Sequence, residues 1–230
     1  MKLVLFDIDG TILWSDGAGR RAMQCALTTA FGSSGSPDYR YDGKTDMQIV
    51  RDLMRMDGHH DEVIDSRMTS LLDEYLQRLR VELGAGTTHV HRFDGVLELL
   101  DALEARADRT VGLLTGNIEV GAHEKLRAVG IDPLRFTVCA FGSDHEVRDE
   151  LPAIAQRRAR EALGLDVTGD AIVIIGDTPA DIDCTRAIGA RAIAVATGRY
   201  SMAELAAHGP VAVFPNLTDT DAVMRAIDAA

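Results

Sequence analysis

The sequence predicts an α/β protein, a doubly wound parallel sheet with helices on both faces, interrupted near its start by an all-helical segment. Short apolar runs at residues 3–6, 110–114 and 171–175 alternate with stretches of helical periodicity, and repeated β–α units favour a parallel sheet. Residues 15–88, by contrast, contain no strand-like run. Since consecutive parallel strands need only a short crossover, an insert of this length indicates a small domain grafted onto the sheet.

Within the insert, apolar residues recur at helical spacing in three stretches, residues 20–31, 46–56 and 61–83. We therefore expect residues 1–14 and 89–230 to form the α/β core and residues 15–88 to form a helical domain. The remaining elements of the core follow from the same patterns. Helices are predicted at 96–103, 120–129, 151–163, 182–188 and 221–229, and further strands at 136–141, 192–196 and 211–214.

Composition excludes several classes of protein. The 230 residues are 46% hydrophobic and 26% charged, and the net charge is −12, which argues against a general nucleic-acid or membrane-surface role. Three distant cysteines, Cys25, Cys139 and Cys184, fit neither a disulfide framework nor a zinc site. No apolar run reaches membrane-spanning length, and the first strand begins at once, so we expect a cytoplasmic protein without a signal peptide.

The first strand ends in two carboxylates, Asp7 and Asp9, followed by Gly10 and Thr11. Charge at the end of a buried strand is costly to remove from water. The cost falls if a cation and water meet the carboxylates there, and the carboxyl ends of parallel strands are where α/β proteins place their sites. A charged surface turn is the alternative interpretation.

The string Asp7-Ile8-Asp9-Gly10-Thr11 after an apolar strand resembles the nucleophile motif of the haloacid dehalogenase (HAD) superfamily of phosphohydrolases. The resemblance extends to the subgroup similar to phosphoglycolate phosphatases, which carry a helical cap where residues 15–88 lie. It implies a Rossmann-like core, Asp7 as nucleophile and Asp9 as general acid and base. Dehalogenases lack the second aspartate, so Asp9 favours a phosphatase.

The second strand end, Thr115-Gly116-Asn117, matches the place where the family expects a threonine or serine. Its hydroxyl and the backbone amides beside it can bind a phosphoryl oxygen. We predict that Gly10, Thr115, Gly116 and Asn117 bind phosphate. The alternative is a helix cap provided by Thr115 or Asn117.

A second acidic turn, Gly176 to Asp181, resembles the family's last motif. Asp7, Asp177 and Asp181 would converge with the carbonyl oxygen of Asp9 to bind Mg²⁺, which prefers hard oxygen ligands. A surface turn that caps the following helix is the alternative.

The lysine that the family places before the helix at 151–163 is missing, and no lysine follows Lys125. Arg148 is the nearest cation and is predicted to reach Asp7 and the phosphate, with Arg157 and Arg158 as rivals. Arginine binds phosphate and carboxylate, although in a different geometry from lysine.

The segment 42–46 resembles the substrate loop of capped members, and Lys44 is a candidate for contact with a substrate anion; an exposed lysine at a helix entry is the alternative. The resemblance as a whole implies a Mg²⁺-dependent hydrolase of a small phosphorylated metabolite that works through an aspartyl-phosphate. Two further interpretations stay open, a mutase of the β-phosphoglucomutase type and an inactive phosphate-binding module. A phosphonate hydrolase that uses Lys44 is a more remote one.

Overall fold

A computed structural model of the protein describes residues 1–86 and 88–230. Residue 87, inside the predicted helical domain, lies outside the described residues. The strands are β1 (Lys2–Phe6), β2 (Leu13–Trp14), β3 (His91–Arg92), β4 (Arg109–Thr115), β5 (Val138–Phe141), β6 (Ile172–Gly176), β7 (Arg191–Val195) and β8 (Ala212–Phe214). The helices are α1 (Ala18–Phe31), α2 (Asp46–Met56), α3 (Asp61–Gly84), α4 (Val96–Glu104), α5 (Glu119–Ala128), α6 (Leu151–Leu163), α7 (Pro179–Asp183), α8 (Met202–Ala206) and α9 (Thr220–Ala229).

Six strands form a parallel sheet in the order β5-β4-β1-β6-β7-β8, with β1 at its centre. Phe6 pairs with Leu113 on one side and with Ile175 on the other. Both faces of β1 are buried, because Val4 and Phe6 pack into one apolar cluster and Leu3 and Leu5 into another. The fold-class prediction is therefore confirmed, and the ends of β1, β4, β5 and β6 lie along one edge.

Helices α1, α2 and α3 pack on one another around an apolar cluster of their own. Among the described residues, Ile118 is the member of this cluster that comes from outside the helical segment. The separate cluster is what an inserted domain would have, while the exact boundaries at residues 15 and 88 stay a prediction.

The structure differs from the sequence prediction at three small elements. β2 and β3 form an antiparallel pair. This pair joins the two segments that connect the sheet to the helical segment, one before it and one after it. The short helix α8 was not predicted. The predicted helix 182–188 instead begins earlier, as α7, and continues as a 3-10 turn over Cys184–Ala187.

In the part of the chain that the structure describes, no helix combines the length and the apolar character needed to cross a lipid bilayer.

Candidate active site

Three buried carboxylates meet at the carboxyl ends of the central strands. Asp7 follows β1, Asp177 follows β6, and Asp181 lies on α7. One oxygen from each lies within 4.8 Å of the others, and all three residues are buried. The backbone brings them together, since the amide of Asp7 donates to the carbonyl of Ile175 at 2.9 Å and so joins the two strand ends.

Gly10 and Thr11 shape the loop that faces this cluster. Gly10 has a φ of +86°, and a Cβ at that position would overlap the Asp177 carboxylate. Thr11 Oγ1 donates to Asp177 Oδ1 at 3.3 Å. The Asp7-to-Thr11 turn therefore packs directly on the second acidic motif, which is why a glycine is required at position 10.

Asp7 and Asp177 are held where ionisation is unfavourable. Burial raises the pKa of Asp7 to about 7; Arg148 opposes this, and the neighbouring Asp181 and Asp9 add to it. Burial, with Asp181 and Asp7, likewise raises the pKa of Asp177 well above its usual range. The oxygen atoms of the cluster are crowded and have too little positive charge nearby. A divalent cation would stabilise them by supplying that charge. The donor set therefore fits a hard metal ion such as Mg²⁺.

Arg148 supplies the positive charge that the cluster already has. It begins a single 3-10 turn, Arg148–Glu150, immediately before α6, and only 6% of its surface is exposed. Its Nη2 lies 3.2 Å from Asp7 Oδ1 and also binds Asp181 Oδ1. The other oxygen of Asp181 accepts hydrogen bonds from the amide and hydroxyl of Thr178. Asp181 therefore fixes both the start of α7 and Arg148.

The two rival arginines lie elsewhere. Arg158 binds both oxygens of Asp144 and the carbonyl of Cys139, so it fixes the loop after β5. Arg157 is exposed and faces Glu161 on its own helix. Of the three candidates, the structure places Arg148 beside Asp7.

Asp9 points away from the three carboxylates, toward the helical segment. Its Oδ2 accepts hydrogen bonds from Lys125 Nζ at 2.6 Å and from Asn117 Nδ2 at 2.8 Å, and its Oδ1 accepts one from Ser15 at 3.3 Å. Burial opposes ionisation here as well, but Lys125 and these hydrogen bonds outweigh it and hold the pKa of Asp9 below its usual range.

The second strand end lies next to Asp9. Thr115 Oγ1 accepts a hydrogen bond from Asn117 Nδ2 at 2.8 Å, and Asn117 Oδ1 accepts one from Lys125 at 2.6 Å. Neither Thr115 nor Asn117 caps a helix, because α5 begins after Ile118 without a side-chain cap. Within the described residues, the Thr115 hydroxyl has no acceptor for its own proton, so it remains available to a bound oxygen anion.

The loop 42–46 closes over this strand end. The Thr45 side chain caps α2 by accepting a hydrogen bond from the Gln48 amide. Three hydrogen bonds, which we call the cap tie, join the loop to the core. They run from the Asp46 amide to the Gly116 carbonyl at 2.8 Å, from the Ile118 amide to Asp46 Oδ2 at 2.8 Å, and from Thr45 Oγ1 to the Glu146 carbonyl at 2.6 Å. Burial raises the pKa of Asp46 to about 6. Gly116 has no room for a Cβ, which would overlap the Lys44 carbonyl.

A cavity of about 200 Å³ lies between the strand ends and the helical segment. Its walls include Asp7, Asp9, Thr115, Lys125 and Arg148 on the core side. Lys44 also borders it, but its ammonium lies 3.6 Å from Asp52 and over the Tyr39 ring, so it is partly neutralised. The site residues therefore line one pocket.

Comparison with known proteins decides the family. The family model of haloacid dehalogenase-like hydrolases matches residues 4–186. The chain belongs to the haloacid dehalogenase-like hydrolases. It is an enzyme of the HAD phosphatase type, and both curated relatives are phosphatases.

A phosphoglycolate phosphatase of Synechococcus elongatus is 26% identical over 211 residues, which span 91% of this chain and 91% of that protein. A phosphoglycolate phosphatase of Rhodospirillum rubrum is 28% identical over 158 residues, or 68% of this chain and 61% of that protein. The crystal structure of a hydrolase from Pseudomonas syringae shares the fold, with a TM-score of 0.74 and 20% identity over 98% of both chains.

For this HAD hydrolase, sequence reasoning missed Lys125. The residue is 4% exposed, and it faces inward from α5 together with Ala122 and Leu126. A lysine on the apolar face of an amphipathic helix is unusual, and this placement of Lys125 in the sequence could have indicated a buried functional residue. The HAD motif places its lysine later in the chain, before α6, and the cation in that segment is Arg148.

Proposed function

We propose that this HAD-type phosphatase is a Mg²⁺-dependent hydrolase of a small phosphomonoester and works through an aspartyl-phosphate on Asp7. The observation that carries the proposal is the pairing of Asp7, inside a buried carboxylate cluster with Arg148, with Asp9, outside that cluster and two residues away. Two carboxylates in different surroundings can take two different chemical roles.

Asp7, Asp177 and Asp181, with the carbonyl oxygen of Asp9, would hold the Mg²⁺. The ion would supply charge that neutralises the phosphoryl oxygens and keeps the three carboxylates ionised. All four groups lie at the carboxyl edge of the sheet, where β1 and β6 end.

In the free protein Lys125 holds the pKa of Asp9 low, and the negative charge of a bound phosphate would raise it and allow Asp9 to take up a proton. In the first half of the reaction, an Asp7 oxygen bonds to phosphorus while the bond to the leaving oxygen breaks, and Asp9 delivers that proton to the leaving oxygen. In the second half, Asp9 takes a proton from water, whose oxygen displaces Asp7 from phosphorus. Arg148 binds phosphoryl oxygens beside Asp7, and the Thr115 hydroxyl donates a hydrogen bond to another. Asn117 holds Asp9 and Thr115 in a fixed relation.

The helical segment 15–88 is the cap in this proposal, and it selects the leaving group. A cavity of about 200 Å³ favours small phosphorylated metabolites over proteins or nucleic acids. The curated relatives are phosphoglycolate phosphatases, which supports a substrate of that size. Lys44, in the loop of the cap tie, is a candidate contact for the distal part of the substrate.

The test is a hydrolysis screen of the purified protein against small phosphomonoesters, with Mg²⁺ and with EDTA. We expect Mg²⁺-dependent release of phosphate, abolished by EDTA and restored by added Mg²⁺. Acid quenching during turnover should trap a phosphorylated protein, and the label should map to Asp7. Absence of turnover under every condition would contradict the proposal. A requirement for a bisphosphate, without net release of phosphate, would favour the mutase instead.

A further inference from the structure

Tyr75 lies on the apolar stripe of α3, between Leu71 and Leu79, and is 1% exposed. At such a position an ordinary core residue would be apolar throughout. The Tyr75 hydroxyl has no hydrogen-bond partner among the described residues, although burial of a polar group without a partner is costly. Among the described residues, the fully enclosed side-chain nitrogen and oxygen atoms without a partner belong to Arg109 and Arg148. The Tyr75 hydroxyl is not one of them, so it retains access to the cavity that Tyr75 lines.

The hydroxyl has a second donor beside it. A Cβ placed on Gly19 would lie 3.7 Å from the Tyr75 hydroxyl and 3.3 Å from Lys125 Nζ, so the two polar atoms border the same point. Lys125 has three N–H donors, and Asp9 and Asn117 accept two of them. The third therefore remains for a ligand. Gly19, which also lines the cavity, keeps the space between the donors open.

The phenol is a donor throughout the physiological pH range. Burial, with the nearby Asp46 and Asp9, raises the pKa of Tyr75 above its usual value, so the proton stays on the oxygen. A neutral phenol next to an ammonium recognises an oxygen acceptor, and a carboxylate is the strongest small one.

We propose that Tyr75 is a specificity-determining residue that, together with Lys125, donates hydrogen bonds to a carboxylate on the leaving group of the substrate. The inference rests on the proposed phosphatase function. The two donors lie on the Asp9 side of the cavity, where the leaving oxygen is protonated. The substrate class is therefore a short phosphorylated hydroxy acid, whose carboxylate lies close to the ester oxygen.

The experiment compares phosphoglycolate with ethyl phosphate, which has a methyl group in place of the carboxylate. The wild-type protein should prefer phosphoglycolate in kcat/KM. Tyr75→Phe removes one oxygen and no packing, so the ratio of the two kcat/KM values should fall about tenfold or more. Because the lost hydroxyl had no partner in the protein, the Tm should not fall.

Tyr39→Phe is the matched control. It makes the same chemical change in the same helical segment, but the Tyr39 hydroxyl binds Asp52 and Tyr39 does not line the cavity. We expect this variant to lower the Tm and to leave the substrate ratio unchanged. Gly19→Ala is a second test, since it fills the space between the donors at a helical position that tolerates alanine; it should lower the ratio as well.

The outcomes separate the two proposals. Failure of the wild-type protein to hydrolyse ethyl phosphate, phosphoglycolate and p-nitrophenyl phosphate would remove the phosphatase function and this inference with it. Mg²⁺-dependent hydrolysis in which Tyr75→Phe and Gly19→Ala keep the wild-type ratio would overturn only the role of Tyr75. An equal loss for glycerol 3-phosphate, which offers hydroxyls and no carboxylate, would overturn the carboxylate assignment.

Discussion

Asp7 and Asp9 are separated by one residue, yet their surroundings have opposite electrostatic character. Asp7 shares its side of the site with Asp177 and Asp181 and has Arg148 as its cation. Asp9 has a cation of its own, Lys125, and no second carboxylate among its hydrogen-bond partners in the described chain. Burial raises the pKa of Asp7, and Lys125 overcomes burial to lower that of Asp9. One side of the site has a deficit of positive charge, and the other is already balanced.

One short motif therefore holds two carboxylates in electrostatically different surroundings. In a strand, residues two positions apart would share a face, but β1 ends at Phe6 and the chain turns there. Asp7 therefore meets Asp177 and Asp181, whereas Asp9 meets Lys125 and Asn117. A deficit of positive charge prepares the first side for a metal ion. On the second side, Lys125 already neutralises the Asp9 carboxylate.

Replacing each carboxylate in turn is the strongest test of the contrast between Asp7 and Asp9. Asp7→Asn and Asp9→Asn should each reduce kcat by about a thousandfold or more, since each removes a group to which the proposed mechanism gives its own chemical step. Steady-state hydrolysis of a small phosphomonoester measures this. An Asp7→Asn protein that kept wild-type turnover would show that Asp7 is not the nucleophile.

The same two variants should change stability in opposite directions. In metal-free protein at neutral pH, Asp7→Asn relieves crowding among three buried carboxylates and should raise the free energy of unfolding by about 1–2 kcal/mol. Asp9→Asn leaves the buried ammonium of Lys125 without its counter-ion and should lower it by about 1–3 kcal/mol. Urea denaturation in EDTA measures both. A change of the same sign in the free energy of unfolding of both variants would show that the surroundings of Asp7 and Asp9 do not differ as described.

Removal of the cation on the Asp9 side should have an intermediate effect. Lys125→Met keeps the length of the side chain but frees Asp9 to rotate, and should lower kcat by roughly 10- to 100-fold. Arg127→Met is the matched control, since Arg127 loses the same charge from the same helix but is exposed. It should retain wild-type kinetics. A loss shared by both variants would indicate a general electrostatic effect rather than a positioning role.

The smallest expected effect concerns pH and metal. The pKa of Asp7 rises on folding, from an ordinary value of about 4 to about 7. Its contribution to the free energy of unfolding is therefore fully present below pH 4 and is lost progressively as the pH rises to 7. The Tm of the metal-free protein should decrease over this interval relative to that of Asp7→Asn.

Added Mg²⁺ should reverse the loss, with the largest gain in Tm at the highest pH, because the ion binds the ionised carboxylates. Thermal unfolding from pH 5 to 8, with EDTA and with Mg²⁺, measures both effects. A Mg²⁺-induced gain that is the same at every pH would contradict the assignment of Asp7 to the metal side.

The sequence predicted what depends on local pattern. Apolar runs that end in Asp7, Thr115 and Asp177 located the strand ends, and parallel topology then placed these residues on one edge. β2 and β3 escaped prediction because each has two residues and pairs with a segment more than seventy positions away, which leaves no local periodicity. Lys125 was missed for a related reason: its role depends on which way α5 faces, which is set by tertiary packing.

The position of Arg148 could be predicted only in part. Its nearness to the start of α6 made it a candidate, but only the fold distinguishes it from Arg158, which binds Asp144. Both are arginines close to the same helix, and the choice between them is made by the 3-10 turn that directs Arg148 into the core.

The cap tie has a kinetic consequence. The amide of Ile118, at the start of α5, is satisfied by a carboxylate from the helical segment, and the amide of Asp46 is satisfied by the Gly116 carbonyl at the end of β4. Movement of the helical segment away from the strand end would break both bonds. The rate at which these two amides exchange with solvent deuterium therefore reports how often the helical segment separates from the strand end at this contact.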